Sequence, residues 1–145
     1  MRFWDSSAIV SLLVREENSD SLLDLREADR DMIVWWGTET ECLSVLARRE
    51  REGGLDRRAT SLAEESLSKI LGSAHEVQAN TELRRIACRL LMTHPLRAAD
   101  AFQLSALLVG GSLITELPFI TLDKNLSFAA AKEGFPLPAS NLIPQ

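Results

Sequence analysis

The sequence contains few of the residues that build disulfide frameworks, zinc sites or nucleophile–histidine pairs. It has only 2 cysteines and 2 histidines among 145 residues. Cys42 and Cys88 both lie in helical patterns and match no metal-ligand spacing, so we expect reduced thiols in the core of a cytoplasmic protein. His75 and His94 each stand alone, so neither indicates a Ser–His or Cys–His catalytic arrangement.

The sequence also lacks a long hydrophobic run. The longest apolar stretch is too short and too closely flanked by polar residues to span a membrane, and the first residues show no signal-peptide pattern. Internal repeats and low-complexity linkers are absent. With 46% hydrophobic residues, residues 1–145 suit one cytoplasmic domain with its own core and no membrane partner.

An excess of basic residues, which is typical of nucleic-acid-binding proteins, is missing too. The net charge is -5, which argues against nucleic acid as the default partner. This argument is weak, because acids clustered in one site leave the remaining surface less acidic. The arginine-rich stretches favour either solvated helix faces or a rim that steers phosphates. They are Arg48, Arg49 and Arg51, then Arg57 and Arg58, then Arg84, Arg85 and Arg89.

Short apolar segments alternate with helical patterns along the chain. Strands are predicted at residues 2–5, 32–36 and 118–122, and the segments 76–79 and 142–143 are candidates for two more. Buried strands separated by helices are typical of parallel sheets covered on both faces. We therefore predict an α/β fold, a three-layer α/β/α sandwich with a central, mainly parallel sheet of roughly four to five strands.

Polar residues with capping ability give approximate limits for the helices. Ser6 or Ser7 can cap the first helix, Thr38 the helix after the second strand, and Asp56 the helix that follows. The most apolar helical pattern begins at Leu96. The predicted helices end near residues 15, 29, 52, 71, 93, 109 and 133.

Two of the predicted strands lead into a carboxylate. Asp5 is the only charge between Phe3 and Val14, and Asp123 follows the apolar segment 118–122. A carboxylate in an apolar run is costly to bury unless a helix N-terminus, a basic side chain or a metal ion stabilises it. Sites in parallel sheets form outside the carboxyl ends of the strands, so we expect both acids at one edge.

Two further acids lie in helical patterns. Asp100 is the only charge between Arg97 and Glu116, and a helix that is apolar nearly all round is a buried helix, so this acid needs a partner. Glu41 lies in the first turn of the helix that follows the strand 32–36. That position also places it near the carboxyl edge of the sheet.

Each acid has a purely structural interpretation as well. Asp5 and Asp123 can be helix caps, Glu41 can simply favour a helix N-terminus, and Asp100 can form a buried ion pair with Arg97 or another arginine. Four acids that converge on one edge are harder to explain in this way. Clustered carboxylates raise one another's pKa unless a cation compensates, and oxygen ligands suit Mg²⁺ or Mn²⁺.

The motifs around these acids resemble those of the PIN-domain ribonucleases, and among them the toxin subunits of VapBC toxin–antitoxin pairs. The resemblance covers almost the whole chain in order. The segments that carry it are Asp5-Ser6-Ser7, the helix that opens at Glu41 and ends in Arg48-Arg49, Arg97-Ala98-Ala99-Asp100-Ala101-Phe102, and Thr121-Leu122-Asp123-Lys124-Asn125-Leu126.

The resemblance implies a PIN-like domain that hydrolyses RNA endonucleolytically with Mg²⁺ or Mn²⁺ as the cofactor, as the toxin of a type II toxin–antitoxin pair. The implied partners are RNA, a cognate antitoxin and a second copy of the chain in a homodimer. The implied catalytic and metal-binding residues are Asp5, Glu41, Asp100 and Asp123. The implied secondary polar residues of the site are Ser7, Thr121 and Asn125.

Two features depart from the family pattern. Some relatives carry a further acid two residues after the last aspartate, where this chain has Asn125, so that corner of the site has less charge. Relatives often pass from the buried helix through glycine straight into the last catalytic strand, whereas residues 112–117 intervene here. The resemblance is therefore less informative about the geometry near Asp123 than about the rest of the site.

Two other functions are compatible with parts of this pattern. A PIN-like scaffold that only binds RNA or protein would need no catalysis, although the intact set of acids argues against it. A phosphatase can also be built from acids at a sheet edge. The haloacid-dehalogenase type has a second aspartate two residues after the first, where this chain has Ser7.

Overall fold

A central sheet of four parallel strands organises the computed structural model, which describes residues 1–112, 114 and 116–135. The strands lie in the order β3-β2-β1-β4, and Phe3 pairs with Ile33 on one side and Phe119 on the other. The described strands are β1 (Arg2–Trp4), β2 (Met32–Trp35), β3 (His75–Val77) and β4 (Phe119–Ile120). The sheet confirms the predicted α/β fold.

Helices cover both faces of the sheet and complete the three-layer sandwich. The cluster on one face includes residues of α1, α2, α3 and α4, and the cluster on the other includes residues of α5, α6 and α7. The described helices are α1 (Ser6–Leu13), α2 (Ser19–Ala28), α3 (Thr38–Arg51), α4 (Arg57–Gly72), α5 (Thr81–Thr93), α6 (Ala98–Gly111) and α7 (Lys124–Lys132).

The sheet separates two hydrophobic cores, because successive side chains of a strand point to opposite faces. Phe3 and Phe119 belong to the core beneath α6, and their rings meet edge to face with centroids 5.9 Å apart. Trp4 and Ile120 belong to the core beneath α1. Since both faces are covered, these strands are apolar throughout instead of alternating with polar residues.

The first helix begins one residue earlier than a serine cap would allow. Asp5 is its N-cap and accepts a hydrogen bond from the Ser7 backbone N–H, so the prediction of Ser6 or Ser7 as the cap was wrong. A carboxylate that ends a strand and caps the next helix fixes the direction of the chain between them. The predicted cap of α4, Asp56, is confirmed.

Two other helices also begin differently from the prediction. Gly37 precedes α3, and Thr38 lies inside that helix with its side chain buried, where its hydroxyl accepts a hydrogen bond from Gln103 instead of capping. Helix α6 begins at Ala98, so Asp100 lies in its first turn. The helix predicted to begin at Leu96 therefore starts two residues later, and Asp100 lies closer to its N-terminus than predicted.

One strand and one cysteine also differ from the prediction. β4 ends at Ile120, because the next residue, Thr121, directs its hydroxyl to Asp5 while the chain turns toward α7. Cys42 is buried as predicted, but Cys88 is exposed, because it lies beside the inward-facing residues of α5 and not among them. The segment 142–143 lies outside the described residues.

The sheet brings the starts of several helices to one edge. Helices α1, α3 and α7 follow the carboxyl ends of β1, β2 and β4 within three residues. Their first turns therefore meet where Asp5, Glu41 and Asp123 were predicted to lie. None of the described helices combines the length and apolar character that crossing a membrane requires.

We predict that Leu104→Ala will lower the free energy of unfolding by about 2–5 kcal/mol, because it opens a cavity in the core beneath α6. Leu104 is fully buried, whereas Leu62 on α4 is 56% exposed. Leu62→Ala is the matched control and should change stability by less than about 0.5 kcal/mol. Urea unfolding of both variants checks this, and equal losses would contradict the assigned core.

Candidate active site

Asp5 lies at the centre of a polar network between β1 and β4. Its side chain is buried, with 3% of the residue exposed. The carboxylate oxygen Oδ2 accepts hydrogen bonds from the Ser7 hydroxyl at 2.5 Å and the Thr121 hydroxyl at 2.9 Å. The backbone N–H of Asp5 donates to the Ile120 carbonyl at 3.0 Å. Asp5 is therefore held on both its main chain and its side chain.

The two hydroxyls have fixed donor directions. The Ser7 hydroxyl accepts from the Leu122 N–H at 3.0 Å, and the Thr121 hydroxyl accepts from the Asp123 N–H at 3.1 Å. Each hydroxyl thus has an N–H on its acceptor side, and its single proton is directed to Asp5. These bonds favour the charged form of Asp5 and tie it to the segment that carries Asp123.

Glu41 connects three helices. Its Oε2 accepts hydrogen bonds from the Ser6 hydroxyl of α1 at 2.8 Å and from the Gln103 side chain of α6 at 3.2 Å. Gln103 is fully buried and also donates to Thr38 at 3.1 Å. Sequence reasoning missed Gln103, although an amide inside the most apolar helical pattern was a usable signal.

Asp100 and Asp123 each cap a helix with one oxygen. Asp123 Oδ1 accepts from the Leu126 N–H of α7 at 2.9 Å. Asp100 Oδ2 accepts from the Arg97 N–H at 3.3 Å in a capping box. The structural interpretation of Asp123 as a cap is thus correct, and Asp100 caps its own helix without forming an ion pair with a described arginine.

The four acids share one feature that capping alone does not require. In each, one oxygen is held by the protein and the other is open, counting contacts among the described residues. The open oxygen of Asp5, Oδ1, has only a 3.4 Å contact with the Ser6 hydroxyl, whose proton is already directed to Glu41. Each anchored carboxylate can therefore offer one oxygen to a ligand.

The comparisons with known proteins agree with this arrangement. The PIN domain family matches residues 2–132. The chain belongs to the PIN-domain family. By sequence alone, no curated protein is similar to the chain at a significant level.

Solved structures show where else this fold occurs. The chain resembles VapC20 of Mycobacterium tuberculosis, described as a sarcin-ricin loop cleaving toxin, with a TM-score of 0.70, 16% identity and coverage of 95% of this chain and 98% of that one. The chain also resembles FitAcB from Neisseria gonorrhoeae, with a TM-score of 0.64, 16% identity and coverage of 90% of this chain and 94% of that one. A chain of a toxin–antitoxin complex from Klebsiella pneumoniae is similar as well, with a TM-score of 0.61, 15% identity and coverage of 88% of this chain and 91% of that one. At these identities the likeness establishes the shared PIN fold.

Burial and mutual repulsion act on the acids of this PIN domain. Desolvation is the main cause that raises the pKa of Asp5, Glu41 and Asp100, and it brings the pKa of Glu41 to about 7. The charge of Asp123 raises the pKa of Asp5 and Asp100 further, and the charges of Asp5 and Asp100 raise that of Glu41. The four acids are therefore close enough to influence one another.

The donor set fits a hard divalent cation. The open atoms are carboxylate oxygens, and within the described ranges no lysine or arginine forms a salt bridge with any of the four acids. As the side chains stand in the described residues, no three acidic, histidine or cysteine side chains enclose one ion. Mg²⁺ retains several waters and needs only one or two carboxylates, so the set remains suitable.

The remaining residues of the implied site divide into two kinds. Ser7 and Thr121 contact Asp5 directly, and Thr121 is buried. Asn125 is exposed in the first turn of α7 and makes no side-chain hydrogen bond with the described residues. The first two thus position a carboxylate, whereas Asn125 lines a different pocket, with His94 and Phe128.

We predict that the metal-free protein becomes less stable as the pH rises from about 4.5 to 7. The folded state keeps a proton on Glu41 up to a pKa of about 7, and the unfolded chain releases it near 4.5. The resulting stabilisation is fully present below the unfolded pKa and is lost as the pH rises through the folded one. The raised pKa of Asp5 acts in the same direction.

Glu41→Gln should remove roughly 1–2 kcal/mol of this pH dependence, because Glu41 is only partly exposed and solvent screening is incomplete. Glu39→Gln is the matched control, since Glu39 lies in the same helical turn and is exposed. Urea unfolding between pH 4.5 and 7.5 measures both variants. An unchanged slope in Glu41→Gln would show that Glu41 is not the group responsible.

Proposed function

We propose that this PIN domain is a metal-dependent endoribonuclease that acts as the toxin of a toxin–antitoxin pair. The observation that carries the proposal is the set of four carboxylates, each anchored through one oxygen and open at the other. They lie at the N-termini of four separate helices, namely α1, α3, α6 and α7. A merely structural set of caps would not need to influence one another's pKa.

The similar structures support the choice of substrate and biological role. VapC20 is described as cleaving the sarcin-ricin loop, and the structure from Klebsiella pneumoniae is a toxin–antitoxin complex. We extend RNA cleavage and toxin function from those proteins to this chain. The extension rests on the shared fold together with the acids that this chain places at the sheet edge.

The carboxylates would hold Mg²⁺ or Mn²⁺, with Asp5 as the central ligand, Asp100 beside it and Asp123 completing the site. When bound, such an ion lowers the pKa of water and offsets charge on the phosphate oxygens. Asp5 is kept in place by Ser7 and Thr121, whose hydroxyl protons are directed to its Oδ2. This leaves Oδ1 as the oxygen presented to the ligand.

Glu41 is suited to a role with water. Its Oε2 is held by Ser6 and Gln103, so Oε1 can accept a hydrogen bond from a water molecule and orient it toward the phosphate. With no metal bound, burial raises the pKa of Glu41 to about 7; a bound cation would lower it, so that the carboxylate is ionised and accepts a hydrogen bond from water near neutral pH. Gln103 would act on the reaction only by positioning Glu41.

We predict that the purified chain will cut RNA into discrete fragments with Mg²⁺ or Mn²⁺ and not with EDTA. Asp5→Asn and Asp100→Asn should reduce the rate by about 100-fold or more, the scale expected when an electrostatic stabiliser is lost from a reacting centre. The asparagine side-chain oxygen can still accept the hydrogen bonds that hold Asp5 and Asp100, so both variants should remain folded. Gel analysis of total RNA, with circular dichroism of each variant, makes the measurement.

Asp56→Asn is the matched control, because Asp56 also caps a helix but lies at the start of α4. It should cleave as the unmodified chain does. A second readout is the melting temperature, which divalent metal should raise in the unmodified chain and in Asp56→Asn, but less in Asp5→Asn. Neither cleavage nor metal-dependent stabilisation in any variant would leave a non-catalytic PIN scaffold as the function.

The proposed role also includes a homodimer and a cognate antitoxin. We predict that the chain sediments at twice its 16.1 kDa mass, and that a co-purified antitoxin will suppress cleavage by placing a basic or bulky segment against the four acids of the candidate active site. Sedimentation velocity and a cleavage titration check the two parts separately. A monomer would remove the dimer from the proposal, and undiminished cleavage in the complex would remove this mode of inhibition.

A further inference from the structure

A pocket of about 730 Å³ adjoins the candidate active site, and Glu41 forms part of its wall. Its lining comes from the end of β2 and from the starts of α3, α5 and α6. Three aromatic residues dominate it, namely Trp35, Trp36 and Phe102. The mechanism described above uses none of them.

The aromatic residues form a rigid platform with one exposed ring. Trp35 is 6% exposed, and its ring stacks on Phe102 with centroids 5.6 Å apart and planes within 9°. Trp36 meets Trp35 edge to face at 6.1 Å and is 55% exposed. The Trp36 indole is therefore more than half exposed and rests against a buried ring that Phe102 packs on, so it offers a planar surface on which another planar group can stack.

The platform is tied to Glu41 through the backbone. The Trp36 N–H donates to the Val77 carbonyl at 3.0 Å, and the Glu41 N–H donates to the Gly37 carbonyl at 3.1 Å. Gly37 also leaves room for the Trp35 indole, since a Cβ at that position would lie 2.4 Å from Nε1. The backbone of Trp36 is thus held by β3, and the first turn of α3 holds the backbone of Glu41 close to it.

The rest of the pocket wall includes one basic side chain, which suits a ligand that joins a planar base to a phosphate. Arg84 lies at the wall, and no described carboxylate forms a salt bridge with it, so its guanidinium is available to a phosphate. Most other lining residues are short or polar, including Gly37, Thr40, Ala79 and Asn80. Apart from the three rings, the apolar side chains of the wall are Leu83 and the small residues Ala79 and Ala99, so the largest apolar side chains that the pocket offers are planar.

We propose that this pocket binds an unpaired nucleobase of the RNA strand, stacked on Trp36, while Arg84 contacts a backbone phosphate. The inference rests on the proposed ribonuclease function, because the strand must pass the acids that adjoin the pocket. Proteins that recognise single-stranded RNA commonly stack its bases on aromatic side chains. The chain should therefore prefer unpaired RNA over a duplex of the same sequence.

The test measures RNA binding without cleavage, in the Asp5→Asn background with Mg²⁺ present. The probe is a fluorescently labelled single-stranded RNA of random sequence, with the corresponding duplex as comparison. Trp36→Ala should weaken single-strand binding by about 5- to 150-fold, the effect of losing one stacked base. Trp36→Phe should retain most of the affinity, and duplex binding should change little.

Met92→Ala is the control, because Met92 is 87% exposed near the end of α5, whereas the start of that helix lines the pocket. It should bind RNA normally. Equal affinity of Trp36→Ala and Met92→Ala would overturn the pocket assignment, as would a change in oligomeric mass in Trp36→Ala, which would make the platform a contact between copies. If the unmodified chain cleaves RNA while Trp36→Ala binds it normally, only the pocket assignment fails; absence of both cleavage and metal-dependent stabilisation rejects the proposed function itself.

Discussion

The burial of Asp5 is the constraint on which the rest of the site depends. A carboxylate that is 3% exposed is tolerated because two hydroxyls and a helix N-terminus satisfy it. Those hydroxyls belong to Ser7 and Thr121, so satisfying Asp5 also fixes the loop that carries Asp123. One buried charge thus determines the positions of neighbouring groups from both ends of the chain.

The site works against the stability of the domain that holds it. Burial raises the pKa of Asp5, Glu41 and Asp100, which means that each charged form is less favourable in the folded state than in water. The two hydrophobic cores on either side of the sheet must offset this. Raised pKa values of this kind are typical of sites where a protein holds acids together for binding and not for folding.

The sequence was informative where short-range rules decide the outcome. Strand-end acids such as Asp5 and Asp123 could be placed because parallel strands bring their carboxyl ends to one edge. The contact of Gln103 with Glu41 joins residues 62 positions apart and depends on how α6 packs on β2, which no local pattern contains. The start of α6 and the exposure of Cys88 likewise depended on packing that helical periodicity alone does not specify.

The bond between Thr121 and Asp5 joins residues 116 positions apart. Each residue directly follows a strand, Asp5 after β1 and Thr121 after β4, and these strands are neighbours in the sheet although they are far apart in the sequence. A nascent chain that has not yet emerged past Thr121 cannot hold Asp5 in its final geometry. Assembly of the candidate active site therefore waits until synthesis has passed Thr121, and a chain truncated before this residue would lack a contact that holds Asp5.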